Sequence, residues 1–332
     1  RELESDVQQL AEVLVELRVL LHVAQRVGVL VAAPVGHHLG RGQLRGIDVN
    51  HRGVRPAQRI HVLQRLGVNL LGQRQPIAAG LDFERQLTQD KKVLVIDIGG
   101  GTSDCAMVCM GPSHRDKADR QNDFIGHSGE RIGGNDFDIQ IASKALLPLF
   151  GMNSHLKSGL PMPTQIFWNA ASTNDVGAQA DFNSLQTTLL IERLQIETRK
   201  PKLFERFVKM RKHRQNQHVV ASAEQAKIQL SDSKQVDVAL DYIEAGLASS
   251  VTFEAMKEAV RGPLTQMINV VNETIAQAAV KPDLIYITGG SARSPVIRQF
   301  ITEQIGNVEV VDGDHFGSVA NGLTLWANRI FK

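Results

Sequence analysis

The sequence concentrates the groups best suited to phosphate chemistry in one short loop. The loop comprises two acids, three glycines and two hydroxyl side chains: Asp97, Gly99, Gly100, Gly101, Thr102, Ser103 and Asp104. Glycines permit positive φ and a close approach of the backbone to a ligand, so that consecutive amides converge on phosphate oxygens. The two acids would repel a bare phosphate, and they therefore predict a hydrated Mg²⁺ between them. This combination predicts binding of a nucleotide triphosphate with its metal.

The same residues also fit a plain β-hairpin turn flanked by solvent-facing acids, because paired glycines are common in such turns. They do not fit a Walker A loop, since no Gly-Lys-Ser/Thr follows. They do not fit a dinucleotide-binding fingerprint either, since a strand and not a helix comes next. Two common nucleotide-binding folds are thereby excluded.

A second glycine-containing loop follows an apolar run at residues 285–288 and includes Gly289, Gly290, Ser291 and Arg293. The paired glycines would pass under a base or ribose without obstruction, and the planar guanidinium of Arg293 could stack on adenine. Ser291 could cap the helix that Pro295 begins. An ordinary helix N-terminus is the alternative explanation of this loop.

Strands and helices alternate around these loops. Apolar runs predict strands at 93–98, 105–110, 284–288 and 308–311, the first two forming a hairpin. Helical spacing predicts helices at 135–150, 204–217, 221–230, 254–279 and from about 295, and a last helix ending at 328. A break in the helix at 254–279 is expected at Gly262-Pro263. The alternation predicts an α/β fold in which helices cover a sheet.

Residues 1–74 differ in composition from the rest of the chain. No aromatic residue occurs before Phe83, no lysine before Lys91 and no methionine before Met107. Apolar spacing predicts one helix within residues 2–29, and residues 35–59 are predicted to be loop or disorder. We expect residues 1–74 to be an atypical segment that arises from a frame error or a wrong start. Because the chain begins at Arg1, we expect it to be a fragment or a processed form.

Bulk composition limits the classes of function. The 332 residues, 42% of them apolar, suffice for a large core in two or more lobes. The net charge of +2 predicts neither a nucleic-acid nor a membrane-surface partner. Only two cysteines occur, Cys105 and Cys109, so no disulfide framework is expected and a reducing cytoplasm fits best. No apolar run is long enough to span a membrane.

The two loops, taken with further motifs, resemble the seventy-kilodalton heat-shock (DnaK) chaperone family, nearest to its YegD-like, stand-alone ATPase-domain members. The likeness covers residues 75–332, and its further motifs are Gln75-Pro76-Ile77-Ala78-Ala79-Gly80, His127-Ser128-Gly129, Arg131-Ile132-Gly133-Gly134-Asn135-Asp136-Phe137-Asp138 and Gly317-Ser318-Val319-Ala320-Asn321-Gly322-Leu323. The resemblance implies the actin-like ATPase (ribonuclease-H-like) fold, mainly its second lobe with a helical insertion.

The resemblance also implies ATP or ADP with Mg²⁺ as ligands, ATP hydrolysis as the activity, and client proteins or co-chaperones as partners. It assigns catalytic roles to Asp97, Thr102 and Asp104, with Asp97 and Asp104 holding the metal through water. The nucleotide contacts that it implies are Gly99, Gly100, Gly101, Thr102, Gly133, Gly134, Glu224, Lys227, Ser231, Gly289, Gly290, Ser291 and Arg293. For the helix with Glu224 and Lys227, an amphipathic surface helix with an ion pair three residues apart is the alternative.

Two site positions depart from the family pattern. Gln75-Pro76 stands where the family has Glu-Pro, and Ile228 stands where an Arg is frequent. The family's first phosphate motif and catalytic lysine are not found, and no peptide-binding domain is expected after the last helix. Because positioning of water and phosphate supplies most phosphoryl-transfer catalysis, we expect nucleotide binding with impaired hydrolysis. The alternatives are a sugar- or acetate-kinase-like phosphotransferase and an actin-like filament protein of the same superfamily.

Overall fold

The structure is a computed structural model that describes residues 75–117, 120–306, 308–313, 321, 322 and 325. The predicted helix within 2–29 and the predicted loop at 35–59 lie outside these residues, as does most of the predicted last helix. None of the helices in this part of the chain is long and apolar enough to cross a membrane.

The strands are β1 (Lys91–Ile98), β2 (Ser103–Met110), β3 (Phe124–Glu130), β4 (Gln235–Ala239), β5 (Ala248–Thr252), β6 (Leu284–Thr288) and β7 (Glu309–Asp312). The α-helices are α1 (Gln75–Glu84), α2 (Pro112–Arg115), α3 (Gly134–Ile141), α4 (Gln165–Ala171), α5 (Val176–Asn183), α6 (Leu185–Glu197), α7 (Pro201–Lys212), α8 (Asn216–Gln229), α9 (Phe253–Ala259), α10 (Arg261–Ala278) and α11 (Pro295–Ile305).

A five-stranded mixed sheet in the order β3-β2-β1-β6-β7 lies at the centre of the described structure. β1 pairs antiparallel with β2 and parallel with β6, and β6 pairs parallel with β7. The four strands predicted from apolar runs are thus confirmed, including the hairpin of the first two. β3, β4 and β5, and the helices α1, α2 and α4 to α6, were not predicted.

Both faces of the central sheet are covered, as its alternating buried side chains require. On one face Val93 and Val95 of β1 pack with Phe83 of α1 and Tyr286 of β6, whose rings stack at 4.5 Å. On the other face Leu94, Ile96 and Ile98 belong to a larger core with α10 and the helical region. The predicted α/β architecture is therefore confirmed.

The helical region between α3 and α9 packs around its own aromatic core. Phe167 of α4, Phe182 of α5 and Phe204 and Phe207 of α7 are buried and in mutual ring contact. The spacing of Phe204, Phe207 and Met210 is helical, so one face of α7 is apolar while its exposed face carries Lys and Arg.

Three predicted helix boundaries are wrong. The helix predicted at 204–217 is interrupted, because Arg214 takes the left-handed conformation (φ 54°) that terminates helices, and α8 starts at Asn216 instead of 221. The helix predicted at 135–150 is α-helical only to Ile141 and continues as a π-helix and a 3₁₀-helix. The break in the helix predicted at 254–279 lies at Val260, because Pro263 is tolerated in the first turn of α10.

A buried charge cluster fastens the segment after β2 to α1. Arg120 is 1% exposed, and its guanidinium donates to both Glu84 carboxylate oxygens at 2.6 and 2.8 Å and to Asp123 Oδ2 at 2.8 Å. The Asp123 carboxylate also contacts His114 Nδ1 at 2.7 Å and Lys117 Nζ at 3.2 Å. Hydrogen bonds from Arg120 and its neighbours hold the pKa of Asp123 below its ordinary value. One buried arginine therefore bridges the side chains of Glu84 and Asp123.

Arg120→Met should lower the free energy of unfolding by about 3–5 kcal/mol, because it leaves two buried carboxylates without their main partner. Urea unfolding followed by circular dichroism measures the change. Arg193→Met is the control, since Arg193 forms an exposed pair with Glu197, and it should cost less than about 0.5 kcal/mol. Equal effects of the two substitutions would contradict the role of Arg120.

Candidate functional site

The two chemistry-bearing loops meet at one edge of the central sheet. Because β1 and β6 are parallel neighbours, their carboxyl ends lie side by side, and Asp97 is in register with Thr288. In the antiparallel hairpin, Asp97 is also in register with Asp104. The structure therefore brings together both predicted acids and the start of the second glycine loop.

Three turns converge at this edge: the first glycine turn (residues 99–102), the α3 turn (residues 133–135) and the second glycine turn (residues 289–291). The carbonyl oxygen of Gly99 accepts hydrogen bonds from Gly134 N at 3.0 Å and from the Ser291 hydroxyl at 3.0 Å. The carbonyl oxygen of Gly100 accepts from Asn135 N at 2.7 Å. Backbone polar groups of the first glycine turn thus hold all three turns together.

These carbonyl contacts fix the direction of the amides in the first glycine turn. In a trans peptide the C=O and the following N–H point in opposite directions. The amides of Gly100 and Gly101 therefore point away from the α3 turn and Ser291, and within the described part of the chain neither has a protein acceptor. Two adjacent free amides beside two acids form the kind of concavity that binds an anion together with its cation.

Two reasons were expected for the glycines in this turn, a positive φ and the close approach of a ligand, and the first is wrong. None of Gly99, Gly100 and Gly101 has a φ in the left-handed region. A Cβ on Gly99 or Gly100 would meet its nearest neighbour at 3.5 or 3.4 Å, and one on Gly101 would meet nothing within 4 Å. The protein itself therefore tolerates side chains here, and the close approach of a ligand is the remaining physical reason for three glycines.

The glycines of the other two turns are required by packing within the protein. A Cβ on Gly133 would lie 2.6–2.8 Å from the backbone of Gly100 and Gly101. Gly289 has a φ of 90°, and a Cβ on it would lie 2.7 Å from Asp97 Oδ1 and collide with the carbonyl of Ile98. Gly133, Gly134 and Gly289 thus lie next to the first glycine turn, and a nucleotide contact by them stays a prediction.

The two acids have environments that favour their neutral forms. Burial, together with the nearby charge of Asp104, raises the pKa of Asp97 to about 6. Burial also raises the pKa of Asp104, against a hydrogen bond from Thr102 that lowers it. A cation between the carboxylates would offset the two effects that raise these pKa values, which are burial and the repulsion between the two acids.

The donor set fits a hydrated Mg²⁺ but not a metal held by protein alone. Among the described residues no group of three or more His, Cys, Asp or Glu side chains could hold a metal ion. Mg²⁺ takes six oxygen ligands and commonly keeps several waters while binding one or two carboxylates and substrate phosphates. Asp97 and Asp104 would be those carboxylates, and the ion would neutralise charge on the phosphates.

The helix predicted to contact ribose and adenine reaches the α3 turn through Lys227 of α8. The Lys227 ammonium lies 2.7 Å from Asp138 Oδ1 and donates to the Gly134 carbonyl at 3.3 Å. The alternative of an ion pair between Glu224 and Lys227 is therefore wrong, since the partner of Lys227 is Asp138. Ser231 lies beyond the end of α8, and its hydroxyl donates to the Lys227 carbonyl at 3.4 Å.

The second glycine loop differs from prediction in its cap. Ser291 lies in a 3₁₀ turn (Gly290–Arg293), and the residue preceding α11 is Ser294, so Ser291 does not cap that helix. Its hydroxyl instead bonds to the first glycine turn, as described above. Arg293, at the end of the 3₁₀ turn, is exposed.

A cavity of about 540 Å³ adjoins Asp104 on the side of β3 and α10. Thr102 and Asp104 form its boundary with the first glycine turn, and His127, Glu130 and Arg131 line it from the β3 side. Neither Asp97 nor the second glycine turn lines this cavity. Of the two acids, Asp104 therefore faces this polar space.

Sequence reasoning missed two residues of this site, Asn135 and Asp138. Asn135 contributes a backbone amide, for which the sequence carries no signal. Asp138 is 3% exposed between buried Phe137 and Ile139, and a carboxylate on the apolar side of a helix was the available signal of a charged partner.

Comparisons with known proteins agree with this arrangement. A family profile described as Hsp70 protein matches residues 196–328. The chaperone protein DnaK of Thermosipho melanesiensis is 26% identical over 240 residues, which are 69% of this chain and 30% of that protein. The chaperone protein DnaK of Trichormus variabilis is 25% identical over 272 residues, 78% of this chain and 30% of that protein.

These matches support a DnaK/Hsp70-type family for the chain. Its α/β architecture with a mixed sheet is accordingly the actin-like ATPase fold. The chain spans about 30% of the length of these DnaK relatives. The assignment to the stand-alone members of the DnaK/Hsp70 type, and the division at residue 75, stay predictions.

Gly133→Ala should lower the free energy of unfolding by about 2 kcal/mol or more, because the new methyl group collides with backbone that cannot move independently. The φ of Gly133 is −160°, so the penalty is steric and not conformational. Gly101→Ala is the matched control and should change stability by less than about 0.5 kcal/mol. Urea unfolding measures both, and a tolerated Gly133→Ala would mean that the α3 turn does not pack as closely as the structure has it.

Asp97→Asn should stabilise the metal-free chain at neutral pH. A carboxyl whose pKa rises from 3.8 to about 6 on folding contributes stability that is fully present below pH 4 and lost as the pH rises to about 6. The asparagine variant keeps the neutral form, so it should be more stable by about 3 kcal/mol at pH 7.5 and by about 1 kcal/mol at pH 4.5. Unfolding in the presence of a chelator at both pH values measures this.

Asp232→Asn, on the exposed turn after α8, is the control for that experiment and should show no such pH-dependent gain. A pH-independent effect of Asp97→Asn would contradict a raised pKa as its cause.

Proposed function

We propose that this chain binds ATP or ADP with Mg²⁺ as a DnaK-like, chaperone-related protein with weak hydrolysis. The observation that carries the proposal is the pair of amides at Gly100 and Gly101, which find no acceptor among the described residues. They lie beside Asp97 and Asp104 in a turn where each glycine has room for a Cβ. Phosphate oxygens would accept from the amides and from Thr102, while the acids would hold the hydrated cation.

The adenosine would lie on the other side of the first glycine turn, between the second glycine turn and α8. Lys227 and Glu224 lie on α8, and Ser291 and Arg293 belong to the 3₁₀ turn after β6. The relatives described as DnaK chaperones support a nucleotide ligand by likeness. Client proteins or co-chaperones as partners, and a cytoplasmic location, are proposed on that likeness alone.

Impaired hydrolysis is proposed from two positions. Gln75 replaces a family carboxylate with a neutral amide, and Ile228, which is 51% exposed, replaces a frequent arginine. The described groups serve binding and charge neutralisation, whereas hydrolysis also requires a positioned water. The proposal therefore separates binding from turnover.

Calorimetric titration of the full chain with MgATP and MgADP tests the binding. We expect saturable binding that weakens at least about tenfold in Asp97→Ala and is unchanged in the exposed control Glu197→Gln. Absence of binding at millimolar nucleotide would overturn the proposal. In a parallel phosphate-release assay, turnover typical of DnaK proteins that is lost in Asp97→Ala would overturn the claim of weak hydrolysis.

A further inference from the structure

One buried ion pair links α8 to the turn that supports the first glycine turn. Lys227 Nζ and Asp138 Oδ1 are 2.7 Å apart, and the two side chains are only 14% and 5% exposed. A pair this well shielded from water is held in one geometry, unlike the exposed pairs on the surface of the helices.

The position of the Lys227 ammonium is set by one ion-pair partner and one hydrogen-bond acceptor. Asp138 Oδ1 lies 2.7 Å away as the ion-pair partner, without an aligned hydrogen bond. The Gly134 carbonyl accepts from the ammonium at 3.3 Å, and Gly134 N in turn donates to the Gly99 carbonyl at 3.0 Å. A lysine ammonium has three N–H donors, so N–H groups beyond the one on Gly134 remain next to the junction of the α3 turn and the first glycine turn.

We propose that Asp138 is a positioning residue, which holds the Lys227 ammonium at the α3 turn so that its remaining N–H donates to an oxygen of the bound nucleotide. The inference rests on the proposed function and deepens it, since it assigns a task to a carboxylate that does not itself touch the ligand. Asp138 would act only through Lys227.

The charges around Asp138 decide whether its carboxyl group is charged in the pair with Lys227. Burial raises the pKa of Asp138 to about 6, the Lys227 charge opposes that rise, and the charges of Glu224 and Asp136 add to it. At neutral pH the carboxylate is therefore charged and depends on Lys227 for compensation. The lysine in turn is drawn away from Glu224, its neighbour on α8, towards the site.

A purely structural role, fastening α8 to α3, predicts a different pattern from a positioning role. A pair with a purely structural role contributes to the free energy of unfolding whether or not the nucleotide is bound. A positioning pair affects ligand affinity, and removal of Asp138 costs affinity only while Lys227 is present. A double-mutant cycle in nucleotide affinity separates the two.

The test is calorimetric titration of MgADP at pH 7.5 into the full chain and the variants Asp138→Asn, Lys227→Met and the double variant. We expect each single variant to bind about tenfold more weakly than the wild type and the double variant to bind like Lys227→Met. Glu244→Gln is the control, because it removes the charge from a pair of equal length, with Arg206 at 2.7 Å, that lies elsewhere and is more exposed, and it should leave affinity unchanged.

Wild-type affinity in a folded Asp138→Asn would overturn the inference and leave the proposed function intact. Absence of MgADP binding by the wild type would overturn both. If Asp138→Asn alone does not fold, the double variant, which leaves no unpaired charge, is compared with Lys227→Met. Equal affinities would then support action through Lys227, and a further loss in the double variant would overturn it.

Discussion

The site depends on the carbonyl oxygens of Gly99 and Gly100 being hydrogen-bonded within the protein. The bonds come from Gly134 N, the Ser291 hydroxyl and Asn135 N. Because peptide units are rigid and trans, fixing these two carbonyls also fixes the two amides on the opposite side. The same contacts hold the start of α3 and the end of β6 against the hairpin. The same hydrogen bonds therefore orient the two amides and position the neighbouring turns.

This constraint explains which glycines are needed for folding and which are not. Gly133 and Gly289 are needed because another backbone passes within contact distance of where a side chain would begin. The glycines at 99–101 have room for a Cβ, so folding alone does not account for them. Selection for a ligand that approaches the backbone is the physical explanation that remains, and it agrees with the two raised carboxyl pKa values beside the turn.

The sequence was sufficient for the parts of the fold that depend on local pattern. The strand at 93–98 ends in glycines and is followed by another apolar run, and this pattern correctly predicted the hairpin. The sequence was insufficient where a distant contact decides. Lys227 has Glu224 three residues before it, yet its partner is Asp138, because burial strengthens a charge pair more than proximity along a helix does. Likewise Ser291 has the residue type of a cap, but its partner is the Gly99 carbonyl, 192 residues away.

The proposed separation of nucleotide binding from hydrolysis is based on where the binding groups lie. The groups that would hold phosphate and cation stand at one edge of one sheet, and β1, β2 and β6 fix them through their register. The family profile covers α8 and the second glycine turn but not the first glycine turn. Phosphate binding at the first glycine turn is therefore supported by geometry and not by that match. Phosphoryl transfer needs in addition a water aligned with the bond that breaks, and a displacement of about 1 Å can cost two orders of magnitude in rate. On the proposed function, a neutral amide at Gln75 in place of the family's carboxylate would weaken the alignment of water without removing the amides or the acids. The proposed nucleotide site would then be retained while most of the catalysis is lost.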